Sequence, residues 1–179
     1  MKRVTFEGEL PLGQKPSSWA VFDQNDVYRY ELGRIWNEQL EVATWIMLNP
    51  STADAFQDDP TIRKCCGFAR RWNCGGIRVV NLFALRSLSP GALLTASNPV
   101  GPENTEALYN AMQQAGSRAF CAWGAFKHPR LAERVESLKM LAFDAGVSLL
   151  CLRKTSGGRP EHPLYVPYEA EPIAFEEPL

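Results

Sequence analysis

Two hydrophobic periods alternate along this chain. Short continuous apolar runs predict buried strands, and apolar positions recurring every three to four residues predict helices. Residues 45–48, Trp-Ile-Met-Leu, are the clearest run, and a polar turn over 49–59 follows them. Asp58-Asp59-Pro60 then predicts a helix start, with an acidic cap, a second acid facing the positive helix end and proline at the first helical position. Over 60–73, Ile62, Cys65, Cys66, Ala69 and Trp72 fall on one helical face, and Gly75-Gly76 is the expected stop. A strand is predicted over 77–83, closing in polar character at Asn81. A mixed connection over 85–100 leads to a helix over 102–115 with Ala107, Leu108, Ala111, Met112 and Ala115 inward. The pattern then gives a strand over 118–123, a helix over 129–145 stopping at Gly146, and a strand over 147–152.

The flanks are less regular. Residues 4–6 read as a strand, Pro11, Gly13 and Pro16 as breaks, and 18–22 with 28–35 as an antiparallel pair around a turn at 23–26. Tyr28, Tyr30 and Leu32 alternate with Arg29 and Glu31, the pattern of a half-exposed strand. Residues 1–42 are expected to extend or cover one edge of the sheet. The stretch 168–179 is acidic and proline-bearing and is expected to be a loose tail. The order strand, helix, strand, helix, strand, helix, strand predicts one α/β domain over 1–167, a three-layer α/β/α sandwich around a four-stranded parallel sheet. Ligands of such sheets sit outside the carboxyl ends of the strands. That rule gathers Asn49, Pro50 and Ser51 after the first core strand, Asn81 after the second, Trp123-Gly124 after the third, and the basic glycine-rich loop 153–163 after the fourth.

Composition narrows the chemistry. At 179 residues, 45% apolar and 22% charged, the chain is expected to fold around a real core. A net charge of −1 leaves nucleic-acid contact to a local patch. With no apolar run of membrane-spanning length and no signal-peptide pattern, the expectation is a cytoplasmic protein without a membrane partner. The five cysteines lack zinc spacing, and their odd number argues for reduced thiols, so no metal and no cofactor is expected.

Several side chains have two readings. Asp58 and Asp59 either cap the helix or supply a base, and Asp54 is the carboxylate best placed to act as one. The cations Arg63, Lys64, Arg70 and Arg71 are either a solvated face or phosphate contacts. His128 reads as a surface residue. His162, in the loop that returns to the rim, reads as a hydrogen-bond donor or a partner for a developing anion. No phosphate-binding loop, dinucleotide fingerprint or Ser–His–acid order is present.

Six words in order carry a resemblance: Leu48-Asn49-Pro50-Ser51-Thr52-Ala53-Asp54, Asp59-Pro60-Thr61-Ile62-Arg63, Val80-Asn81-Leu82-Phe83, Pro99-Val100-Gly101-Pro102-Glu103-Asn104, Ala122-Trp123-Gly124 and His162-Pro163-Leu164-Tyr165. Together they resemble a bacterial and phage family known as a domain of unknown function. More distantly, that family resembles the uracil-DNA glycosylase superfamily. The chain departs from the superfamily pattern at Ser51, and at Leu164-Tyr165 in the late motif.

The resemblance implies that Asn49 positions water, Asn81 binds the base edge, His162 stabilises the leaving base and an aromatic such as Phe56 stacks on it. A base would enter by extrusion. With Pro50, Ser51, Trp123 and Gly124 lining the site and Arg63, Arg153, Lys154 and Arg159 meeting phosphate, the expectation is a base- or nucleotide-processing enzyme that cleaves an N-glycosidic bond. The alternative is a non-catalytic binder of nucleic acid or nucleotide with the same fold.

Overall fold

A computed structural model describes residues 1–7 and 17–175. The expected breaks at Pro11, Gly13 and Pro16 and the last four residues of the chain lie outside the described residues. The strands are β1 (Lys2–Glu7), β2 (Ser17–Phe22), β3 (Arg29–Ile35), β4 (Val42–Met47), β5 (Gly76–Asn81), β6 (Arg118–Cys121), β7 (Ser148–Cys151) and β8 (Ile173–Ala174). The α-helices are α1 (Pro60–Arg71), α2 (Ala92–Thr95), α3 (Asn104–Gln113) and α4 (Leu131–Asp144). A 3-10 turn covers Pro163–Tyr165.

All eight strands form one mixed sheet in the order β1-β2-β3-β5-β4-β6-β7-β8. The four expected core strands pair parallel with one another, β5 and β6 flanking β4 and β7 beside β6. They do not make up the sheet alone: antiparallel strands extend it on both sides. On one edge β3 pairs with β5, so the N-terminal strands continue the sheet rather than cover it. On the other edge β8 pairs with β7, and Phe175 is buried with its ring edge-on to Trp123. The expectation of a loose tail therefore fails through residue 175. Its acidic residues hid two aromatic anchors, Tyr168 against Phe68 and Phe175 against Trp123.

Strand alternation feeds two cores. Ala43, Trp45 and Met47 of β4, Ile77 and Val79 of β5 and Phe120 of β6 face α1 through Ile62, Cys65 and Phe68. Ile46, Val80, Ala119 and Cys121 face the other way, against Leu108 and Met112 of α3 and Val135 and Leu138 of α4. Helices thus lie on both faces of the parallel core. Asp59 starts α1 as expected: its carboxylate accepts the Ile62 N–H at 2.9 Å, with Pro60 following. The helix end differs. Asn73, at φ +55, takes the left-handed position expected of glycine. Gly76 opens β5, where a Cβ would lie 2.4 Å from the Arg34 carbonyl oxygen. Among the described residues, no helix is long and apolar enough to cross a membrane, and all five cysteines are buried.

Candidate functional site

The loop between β4 and α1, residues 48–59, forms one wall of a cleft of about 180 Å³. Met47, Leu48, Asn49 and Ser51 reach the cleft from this strand end, Asp59, Thr61 and Ile62 from the start of α1, and Val79 and Asn81 from β5. Ser87, Leu88 and Pro90 close one side, and His162 arrives from the loop after β7. The Asn49 amide nitrogen donates to the carbonyls of Pro50 and Ser87, both at 3.1 Å. The Ser87 N–H in turn donates to the Pro50 carbonyl at 2.9 Å. These bonds join the exits of β4 and β5, and they leave Oδ1 as the remaining polar atom of the Asn49 side chain.

His162 reaches the cleft on a loop that packs beside Gly124, whose left-handed turn favours glycine. Gly124 sits at φ +75, its N–H donates to the Pro160 carbonyl at 2.9 Å, and the His162 Cβ lies 3.5 Å from where a Gly124 Cβ would stand. The Leu164 N–H donates to His162 Nδ1 at 3.4 Å, so the neutral ring carries its proton on Nε2. Burial lowers the His162 pKa from its ordinary value, and the Asp59 carboxylate partly opposes this. The ring is therefore neutral at pH 7, and Nε2–H is its free donor.

Two buried donors on the cleft wall have no hydrogen-bond partner among the described residues: Asn81 Nδ2 and Arg29 Nε. Asn81 is 1% exposed and Arg29 2%. Buried polar groups are nearly always satisfied, so these two donors, shut off from solvent behind one wall, stand out beside the six further unpartnered buried polar atoms among the described residues. Burial pulls the Arg29 pKa down to about 10, against the opposing charge of Asp59, and the guanidinium stays cationic at neutral pH.

Arg29 overturns an expectation. Alternation in β3 put it outward, but its Nη1 donates to the Ala53 carbonyl at 2.5 Å beneath the 48–59 loop. It is one of three side chains from the N-terminal strands that hold this loop. Ser18 Oγ donates to the Ala55 carbonyl and Arg34 Nη2 to the Asp54 carbonyl. Strand periodicity does not register a loop that folds over the strand from a distance. Thr61 and Ser87 were also not singled out, being ordinary turn and helix-start residues.

The cleft brings together Asn49, Ser51, Asn81 and His162, with Asp59 beside them. Other expected site residues lie elsewhere. Asp54 Oδ1 accepts the N–H groups of Phe56 and Gln57 at 2.8 and 2.9 Å, so this carboxylate shapes the turn and does not line the cleft. Phe56 points away from the cleft and meets Phe6 edge-on, with ring centroids 6.0 Å apart. Trp123 is buried in the core, Gly124 positions the late loop, and Pro50 contributes its carbonyl to Asn49 and Ser87.

The expected phosphate contacts also lie outside the cleft lining. Arg63 donates to the Asp58 carbonyl at 2.6 Å. Arg153 pairs with Glu161 and donates to the Tyr165 carbonyl. The Lys154 backbone pairs antiparallel with that of Pro160, and Arg159 donates to the carbonyls of Ala125 and Phe126. His128 is half-buried rather than a free surface residue: it contacts the Leu93 carbonyl through Nε2 at 3.1 Å and packs on Phe83. Asp58 forms an ion pair with Arg34 at 2.8 Å and leaves the cap to Asp59.

No curated protein and no solved structure matches the chain. One family does, described as "Protein of unknown function (DUF1643)", over residues 29–164. That span runs from the buried arginine of β3 to the turn after His162 and includes every residue lining the cleft, so the chain belongs to the DUF1643 family.

Proposed function

We propose that the chain is a base- or nucleotide-processing enzyme that cleaves an N-glycosidic bond at this cleft, with the parallel core and helix layers of a uracil-DNA glycosylase-like sandwich. One observation carries the reading: the unpartnered donors of Asn81 and Arg29 share a small cleft with Asn49 and the Nε2–H of His162. Donors from β3, β5 and the late loop around a small, partly apolar cleft suit the acceptor-bearing edge of a base.

In this reading Asn81 and Arg29 hold the base, and Asn49 Oδ1 accepts a hydrogen bond from the attacking water. The water oxygen bonds to C1′ as the C1′–N bond breaks. The bonding pair leaves on the base, facing His162, and the water's surplus proton ends on the departing base. Fixed donors aimed at developing charge are typically the largest catalytic contribution. The Asp59 carboxylate, whose charge acts on both Arg29 and His162, faces positive charge developing on the sugar. Asp54 has no role in this scheme, because the turn holds it.

The test is incubation with nucleotides and with DNA carrying uracil, mismatched or modified bases, reading free base by mass spectrometry. Base release that is lost in Asn49→Ala supports the proposal. No release from any substrate, with Asn49→Ala binding every nucleotide as the wild type does, ends it. A second reading, binding without turnover, is favoured by the tethering of both Asn49 amide hydrogens to carbonyls. It predicts saturable nucleotide binding and no product.

A further inference from the structure

Two expected contacts that are absent from the cleft, Phe56 and Arg63, line a second cavity. It is larger, about 710 Å³, and its wall also includes Phe6, Trp36, Arg34 and Arg70. The rings of Phe6 and Phe56 stand open at 51% and 68% exposure, more than core packing of aromatics leaves. Arg63 and Arg70 are exposed seven residues apart on α1, with Cys66 between them on the cavity wall. Arg70 also lies over the Trp36 ring, 4.3 Å from its centroid. Among the described residues, Asp58 is the acid on this wall, and it is engaged with Arg34.

We propose that this groove binds the nucleotides flanking the base held in the cleft, on a single strand of nucleic acid. Exposed aromatic rings beside guanidinium groups match the stacking platforms and backbone cations of single-strand binding sites. Paired bases cannot stack on Phe56 and Phe6, and a net charge of −1 offers no broad field for a duplex. The two cavities are adjacent along the chain: Asp58 lines the groove and Asp59 the cleft. A strand crossing the 48–59 loop would place one base in the cleft and its neighbours against Phe56, Arg63 and Arg70. The inference rests on the reading of the cleft as a base site only in that shared use; strand binding by the groove stands without it.

The test is fluorescence anisotropy with labelled oligothymidine and oligouridine at low salt. Binding is expected to weaken at least tenfold in Arg63→Glu combined with Arg70→Glu, and severalfold in Phe56→Ala. The dependence on salt should be shallower in the charge variant than in the wild type. Arg71→Glu, on the same helix but away from the groove wall, is expected to bind as wild type. No strand binding, equal loss in Arg71→Glu, or binding confined to mononucleotides overturns the inference. Preference between the two oligonucleotides identifies which nucleic acid the groove takes. Strand binding without base release sinks the glycosidic reading alone, and base release from nucleotides without strand binding sinks the groove alone.

Discussion

The two loops that meet at the cleft draw their cations from different places. The loop at 48–59 is braced from outside: Ser18, Arg29 and Arg34 of β2 and β3 donate to the carbonyls of three consecutive residues, Ala55, Ala53 and Asp54. The loop at 153–162 is held from within and by residues 124–126, through the Gly124 N–H on the Pro160 carbonyl and Arg159 on the Ala125 and Phe126 carbonyls. Arg153 pairs with Glu161, the Thr155 N–H donates to the Arg159 carbonyl, and the Arg159 N–H donates to Thr155 Oγ1. In the first loop the cations come from the sheet, so Asn49 and Ser51 remain at the cleft. In the second, Arg153 and Arg159 serve carbonyls and an acid, so a loop that reads as basic and glycine-rich supplies an imidazole. Arg153 and Arg159 each serve two partners within the fold, whereas the Arg63 guanidinium, with the Asp58 carbonyl as its one hydrogen-bond partner among the described residues, keeps further N–H groups for a ligand.

The largest effect that would sharpen this contrast is catalytic. His162→Gln is expected to lower base release about 100-fold or more, the scale of losing one donor aimed at developing charge. Single-turnover kinetics check it, and an unchanged rate would make the second loop a scaffold only. Next, Arg29→Met removes an outside brace and a cleft donor together. Nucleotide affinity should fall at least tenfold, about 1.4 kcal/mol, measured by calorimetry. Full affinity would break the link between bracing and binding.

A smaller effect concerns pH. Burial depresses the His162 pKa, so folding favours the neutral ring. That stability is present above the unfolded value of about 6.5 and is lost as pH falls through the folded value. Between about pH 7 and about pH 5, the Tm of the wild type should drop more than that of His162→Gln. Equal drops would show that the ring is not held neutral by the fold. The smallest effect is expected of Arg159→Ala, which should leave nucleotide affinity unchanged within about twofold, because its guanidinium already serves the Ala125 and Phe126 carbonyls. A clear loss would return a phosphate role to the second loop.

Much of the core was legible from local pattern. The apolar run of β4, the Asp59–Pro60 start of α1 and the inward faces of α3 and α4 depend on neighbours in sequence, and period and capping report those. The convergence of Asn49, Asn81 and His162 followed from the placement of polar residues at strand ends in a parallel sheet. What could not be read was long-range. Arg29 sits at an outward position by alternation and is buried by a loop that begins some twenty residues later. Asp54 looked like a free carboxylate because its two backbone donors become visible only once the turn is formed. Tyr168 and Phe175 lie in an acidic, proline-bearing stretch whose partners, Phe68 and Trp123, are distant in the chain.

The most direct test is a crystal structure of the protein soaked with nucleobases and mononucleotides. The account predicts a base in the cleft, with acceptor atoms within hydrogen-bond distance of Asn81 Nδ2 and Arg29 Nε and with His162 Nε2 turned toward it. Saturating ligand that leaves those two donors uncontacted, or that binds only outside the cleft, would contradict it.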